Sequence, residues 1–220
     1  MKKNKTAIII GATGLVGGKL LNYIINDEVF SKVLVFTRRK IKISSPKIEE
    51  HIIDFSEIES IKDKIRGDAI FSCLGTTLKQ AGGKKAQYEV DYTYQYLFAK
   101  FASQNNVGEY FLVSSSGAND RSRFFYLKMK GELETDVCKL NFNSINIFQP
   151  SVLIGEREQK RTGEIIGAKM SNFFTKIIPP LKKYRGIKGE TVAKAMINTY
   201  KLEDKDKINI FKLDEIHNLA

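Results

Sequence analysis

Apolar positions along the chain follow two alternating rhythms. Over 6–10 (Thr-Ala-Ile-Ile-Ile) they are consecutive and mostly β-branched, the mark of a short strand buried on both faces. From Leu15 through Leu20, Leu21, Ile24 and Ile25 the spacing becomes helical. Consecutive runs return at 32–36, 48–53, 68–74, 110–113 and 144–148, with a late one at 208–211. Between them, Ile58, Ile61 and Ile65 predict a sparse helical face ended by Gly67. Residues 86–104 predict a long helix rich in Tyr and Phe, and 124–140 another. Strands alternating with helices build βαβ units, so the expected fold is α/β, a doubly wound parallel sheet covered by helices on both faces. After Pro150 the alternation weakens. The expectation is one domain over 1–220, in which 150–220 contribute a small helical cap above the strand ends.

Composition narrows the possibilities. A chain of 220 residues with 42% apolar content can bury a core without help from disulfides or metals. No apolar run approaches the roughly 20 residues of a membrane span. The basic start, Met1-Lys2-Lys3-Asn4-Lys5, leads directly into a strand and not into a secretory segment. Cys73 and Cys138 match no redox or metal spacing, and His51 and His217 stand alone. These features predict no metal and a reducing, cytoplasmic setting. Net charge is +11, concentrated at 2–5, 38–42 and 182–185. No helix-turn-helix, RNP or zinc pattern accompanies it, so nucleic acid is not the expected partner. An anionic cofactor suits the middle cluster better.

Candidate chemistry begins at Gly11-Ala12-Thr13-Gly14-Leu15-Val16-Gly17, where the first strand ends and the first helix starts. The first glycine permits a tight turn, the second lets backbone approach a pyrophosphate, and the third lets helix and strand pack closely. The free N–H groups of the helix start favour phosphate. About 20 residues further on, an NAD site carries an acid for the ribose 2′-hydroxyl. Here Thr37 is followed by Arg38 and Arg39. Guanidinium matches a 2′-phosphate, so NADP(H) is expected over NAD(H). Asp54-Phe55, after the third strand, is placed to meet adenine, although Asp54 equally reads as a helix cap.

The second candidate is Tyr126-Leu127-Lys128-Met129-Lys130, a YxxxK on a predicted helix. The spacing puts both side chains on one face. The ammonium would lower the phenol pKa and could hold a cofactor ribose, while Tyr126 serves as acid or base. Upstream stands Ser114-Ser115-Ser116-Gly117, at the end of the fifth strand, where a hydroxyl faces the cofactor crevice.

Taken together, GxxGxxG after strand one, Leu74-Gly75 after strand four, the serine run after strand five and YxxxK resemble the short-chain dehydrogenase/reductase superfamily. The resemblance is narrower to its atypical branch containing the Tat-interacting protein oxidoreductases and their bacterial relatives. It implies an NADPH-binding Rossmann domain with Ser115, Tyr126 and Lys130 as the catalytic triad. Ser116 is the runner-up for the active serine. Gly11, Thr13, Gly14, Leu15, Val16 and Gly17 would hold the pyrophosphate, and Arg38 and Arg39 the 2′-phosphate. Asp54 and Phe55 would meet adenine, Leu74 and Gly75 would back the cofactor, and Pro150, Val152 and Leu153 would lie along the nicotinamide. One departure is Gln149-Pro150 where the family often has Arg-Pro, which removes a charge but keeps the turn. The implied activity is NADP(H)-dependent oxidoreduction of an unidentified small-molecule carbonyl or alcohol. The alternative is an NADP(H)-binding sensor with negligible turnover. Neither oligomeric state nor reaction direction is legible.

Overall fold

The computed structural model describes residues 4–155 and 186–220. Seven parallel strands form one sheet in the order β3-β2-β1-β4-β5-β6-β9. Their ranges are β1 Lys5–Ile10, β2 Phe30–Thr37, β3 Ile48–Ile52, β4 Ala69–Ser72, β5 Glu109–Val113, β6 Ser144–Gln149 and β9 Ile208–Lys212. A separate two-stranded pair joins β7 (Leu153–Ile154) to β8 (Ile187–Lys188). The strands are β-branched and apolar because each central one is covered twice. Ala7 and Ile9 face one core with α1 (Gly17–Asn26) and α6 (Gly189–Tyr200). Ile8 and Ile10 face the other, with α4 (Tyr94–Gln104) and α5 (Phe125–Val137).

Two predicted helices differ in kind. The segment around Ile58 is a 3₁₀ helix, Phe55–Lys64, kinked at Glu57. Of its residues only Phe55 and Ile58 are buried, too narrow a stripe to hold a regular α-helix against the sheet. The long helix over 86–104 is real but uneven: α3 (Lys84–Tyr88) passes through a π turn, Glu89–Thr93, into α4. A π turn inserts one extra residue and commonly marks a functional position.

The C-terminal part divides. The described residues 186–220 join the domain itself: α6 packs on α1, β9 extends the sheet beside β6, and α7 (Leu213–Asn218) follows. Residues 156–185, which carry much of the expected cap and the basic cluster at 182–185, lie outside the described residues. No helix among the described residues is long and apolar enough to cross a membrane.

Candidate functional site

Strand order reverses between β1 and β4, and the crevice at the carboxyl ends there is where such sheets bind ligands. The glycine turn fills its rim. Gly11 has φ +83, and a Cβ there would lie 2.4 Å from the Cys73 carbonyl carbon and 2.7 Å from the Leu74 nitrogen. A Cβ at Gly17 would lie 2.2 Å from the Gly11 oxygen. Gly14 differs: a Cβ would come no nearer than 3.2 Å, to Gly11 O, and its other side is open. Thr13 is exposed, Gly14 and Leu15 are half-buried, and Val16 is buried in the core. Gly11 and Gly17 therefore serve close packing, and Gly14 leaves the approach that a pyrophosphate needs. The residues fit a dinucleotide.

Above the turn lies the β7–β8 pair. A Cβ at Gly189 would meet the Leu15 oxygen at 2.5 Å, and one at Gly155 would meet the Leu15 side chain at 3.5 Å. Val152 accepts from Ile187 N at 2.9 Å, and Pro150 accepts from Ser116 N at 2.9 Å. Pro150, Val152 and Leu153 thus border the turn and the serine run together.

Beside β1, β2 delivers Arg38 and Arg39 to the surface at its carboxyl end. Thr37 Oγ1 donates to the Arg39 carbonyl at 2.9 Å and shapes the strand exit. Asp54 is exposed and accepts from Ser56 N at 2.9 Å, capping the 3₁₀ helix. That bond to Ser56 holds its carboxyl below the usual range. Phe55 does not offer its ring to a ligand: it is 4% exposed and packs on Tyr94 and Phe98. Tyr94 stands at this corner instead, its phenol raised by burial, Glu89 and Asp54 and opposed by Arg38.

The serine run separates by role. Ser114 is buried, and its hydroxyl donates to Glu134. The Ser115 hydroxyl is the one that acts on the Tyr126 phenol, favouring phenolate. Ser116 contributes its backbone N–H to Pro150. Tyr126 is 38% exposed. Enclosure of the hydroxyl end, with Asp91 adding to it, pushes its pKa up to about 12.

Lys130 lies one turn on, at 1% exposure, with Nζ donating to the Val113 carbonyl at 3.3 Å. Burial outweighs any lowering of the Tyr126 pKa by a neighbouring charge. Burial pushes the Lys130 pKa down, opposed by Asp91 and Glu134, and Asp91 also adds to the rise at the phenol. Asp91 sits in the π turn at 2% exposure and accepts from Thr76 N at 3.0 Å. Burial raises its carboxyl, with Lys130 and the Thr76 bond opposing. Glu134 is raised by burial too, opposed by Ser114, Gln149, Lys130 and Lys212. Gln149 Nε2 donates to both Glu134 oxygens, at 3.0 and 2.9 Å. Sequence reasoning gave neither acid a role. Glu134 had a signal, four residues beyond Lys130 on the same helical face; Asp91, one of two acids between Tyr88 and Tyr92, had none in its spacing. Cys73, beside Gly11, is raised to about 12 by burial and is inert as a nucleophile.

A parallel sheet whose glycine turn sits at the reversal of strand order defines the Rossmann class. Solved structures of that class superpose well. MoeE5 in complex with UDP-glucuronic acid and NAD has a TM-score of 0.72 at 14% identity, covering 94% of this chain and 76% of MoeE5. UDP-glucose 4-epimerase of Thermotoga maritima has a TM-score of 0.70 at 12% identity, with the same coverage of 94% and 76%. At such identities the likeness is one of fold. No protein-family model matches the chain. Curated relatives are nearer in sequence. HTATIP2 of Rattus norvegicus is 33% identical over 200 residues, 89% of this chain and 81% of the relative. Mitochondrial FMP52 of Eremothecium gossypii is 33% identical over 225 residues, 97% and 96% of the two chains. The chain belongs to the HTATIP2/FMP52 family of atypical short-chain dehydrogenase/reductases. These relatives also correct one expectation. FMP52 of Saccharomyces cerevisiae, 35% identical over 159 residues (70% of this chain and 68% of the relative), is mitochondrial as well, so a cytoplasmic setting does not follow. Two thiols without a partner do not distinguish one reducing compartment from another.

Proposed function

We propose that the chain is an NADP(H)-dependent oxidoreductase that interconverts a carbonyl and an alcohol on a small molecule, using Ser115, Tyr126 and Lys130. The observation that carries this reading is the glycine turn at the reversal of strand order, with α5 joined to the serine run through Lys130 Nζ, which donates to the Val113 carbonyl at 3.3 Å. Gly11 to Gly17 hold the pyrophosphate, with Gly14 giving the close approach, and Arg38 and Arg39 take the 2′-phosphate. Asp54, Tyr94 and the Phe55 backbone meet adenine, Leu74 and Gly75 back the cofactor, and Pro150, Val152 and Leu153 border the nicotinamide. The described residues work as one domain, with 150–155 bordering the substrate side of the crevice.

The cofactor supplies a hydride, or accepts one in the reverse direction. Ser115 orients the substrate oxygen. Tyr126, a phenol at neutral pH, gives its proton to that oxygen as negative charge develops on it. Lys130 holds the ribose. A pKa near 12 suits Tyr126 to donation, so the free site favours reduction.

Calorimetry tests cofactor choice. Losing a charge-assisted contact to phosphate costs about 1.5–3 kcal/mol, roughly 10- to 150-fold. NADPH should bind tighter than NADH by that order, and Arg38→Ala/Arg39→Ala should erase the difference. Equal affinities in the wild type would sink the assignment. One observation favours the sensor reading: Asp91 opposes the phenolate that alcohol oxidation requires. Tight NADPH binding without turnover across aldehydes, ketones and quinones would support it.

A further inference from the structure

Lys130 is the one buried Lys or Arg among the described residues. An ammonium so enclosed either sheds its proton or is met by opposite charge. Two acids of opposite charge act on it from different elements, Asp91 in the π turn and Glu134 one turn further along α5, four residues from Lys130 and so on the same helical face. Both are tethered to strand ends. Thr76 N, in the loop after β4, donates to Asp91 at 3.0 Å. Ser114, just past β5, and Gln149, ending β6, donate to Glu134. Lys130 itself donates to Val113, the last residue of β5. The groups facing the ammonium are thus fixed by three strand ends and two helices, an arrangement that surface helices do not need for stability.

We propose that Asp91 and Glu134 are positioning residues that act through Lys130, keeping its ammonium charged and fixed at the carboxyl end of β5. Its relevance to catalysis rests on Lys130 holding the cofactor ribose, but the clamp belongs to the free protein. Gln149 is part of it. A neutral amide at this position leaves Glu134 to Lys130, with Lys212 the other cation that acts on it.

The test is the titration of Lys130 in the free chain by NMR, with 13C at the lysine Cε and Lys130 assigned as the signal lost in Lys130→Met. Wild type should show an ammonium at pH 7; a neutral amine there overturns the proposal whatever the variants do. Asp91→Asn and Glu134→Gln keep the shape and remove one charge each. Each should lower the Lys130 transition by about one pH unit or more. Gln149→Arg keeps both acids, gives Glu134 a third cation beside Lys130 and Lys212, and should lower it too. It decides the matter with wild type if a carboxylate variant fails to fold. A transition unmoved in the folded variants overturns the clamp. NADPH affinity supplies a separate arm. Asp91→Asn should weaken binding by about tenfold, yet have no further effect in a Lys130→Met background. A loss that persists there means that Asp91 does not act through Lys130. If wild type binds no dinucleotide, the functional reading fails while the lysine titration still decides the clamp.

Discussion

At the scale of single residues, Tyr126 and Gly14 give the sharpest expectations. Tyr126→Phe removes one hydroxyl and keeps the ring, so NADPH affinity should change less than a few fold. Turnover should fall by about 10²–10⁴, the usual contribution of a general acid. Because its pKa is pushed up to about 12, the reductive rate should hold across neutral pH and decline only as that value is approached. A basic limb below about pH 9 would assign the proton to another group. Gly14→Val separates binding from folding. Its φ is not among the positive values and no backbone lies under 3.0 Å from its Cβ position, so the variant should fold, with a modestly lowered melting temperature from the 3.2 Å approach to Gly11 O. Its branched side chain should abolish nucleotide binding in the same calorimeter cell. Retained affinity would reduce Gly14 to an ordinary turn residue. Gly11 could not be used this way, since its positive φ and its contact with Cys73 make any side chain a folding defect.

At the scale of elements, what matters is how α5 is seated, since it carries Tyr126, Lys130 and Glu134. Two tyrosines dock α3 and the π turn on it. Tyr88 donates to Glu132 at 3.1 Å and Tyr92 to Asp136 at 2.6 Å. On another side Gly131 touches the loop after β5, where a Cβ would lie 2.2 Å from Asn119 C and Asp120 N. Gly131→Ala should raise helix propensity yet destabilise the protein, because backbone cannot yield as a side chain does. A loss of about 1–3 kcal/mol by denaturant melting is expected, with weakened NADPH binding although no site side chain is altered. A more stable variant with full affinity would show that α5 floats freely. Strand identities and helix positions were legible because period and length survive any packing. The 3₁₀ and π segments were not, since both arise where neighbouring elements compress or displace a helix that local spacing alone would make regular.

Across the whole molecule, the N-terminal and C-terminal halves close on each other through α1 and α6. Asp27, ending α1, pairs with Lys201 at 2.5 Å, 12% and 41% exposed at the side chains. Partial burial would raise this carboxyl, but Lys201, the Val29 N–H and Lys47 outweigh it and hold the pKa low. A depressed folded pKa adds stability above the unfolded value near 3.9, lost as pH falls through the folded one. Asp27→Asn should therefore cost on the order of 1 kcal/mol at pH 7, discounted for the exposed lysine. The two melting curves should converge below about pH 4. A gap constant with pH would mean that the loss is one of shape and not charge.

Sequence alone determined the strands, the glycine turn at the end of β1, the absence of an acid after β2 and the one-face spacing of Tyr126 and Lys130. Each is a local property, carried by covalent neighbours or by a single helix. Tertiary structure decided the rest. It turned the Phe55 ring into the core, gave Ser114 and Ser116 different partners, and brought Asp91 within electrostatic reach of Lys130 across 38 intervening positions. It also enclosed the Tyr126 phenol, and that burial raises its pKa. A pKa depends on which charges stand within a few ångströms, and that distance is set by how the π turn and α5 pack, which no spacing along the chain records.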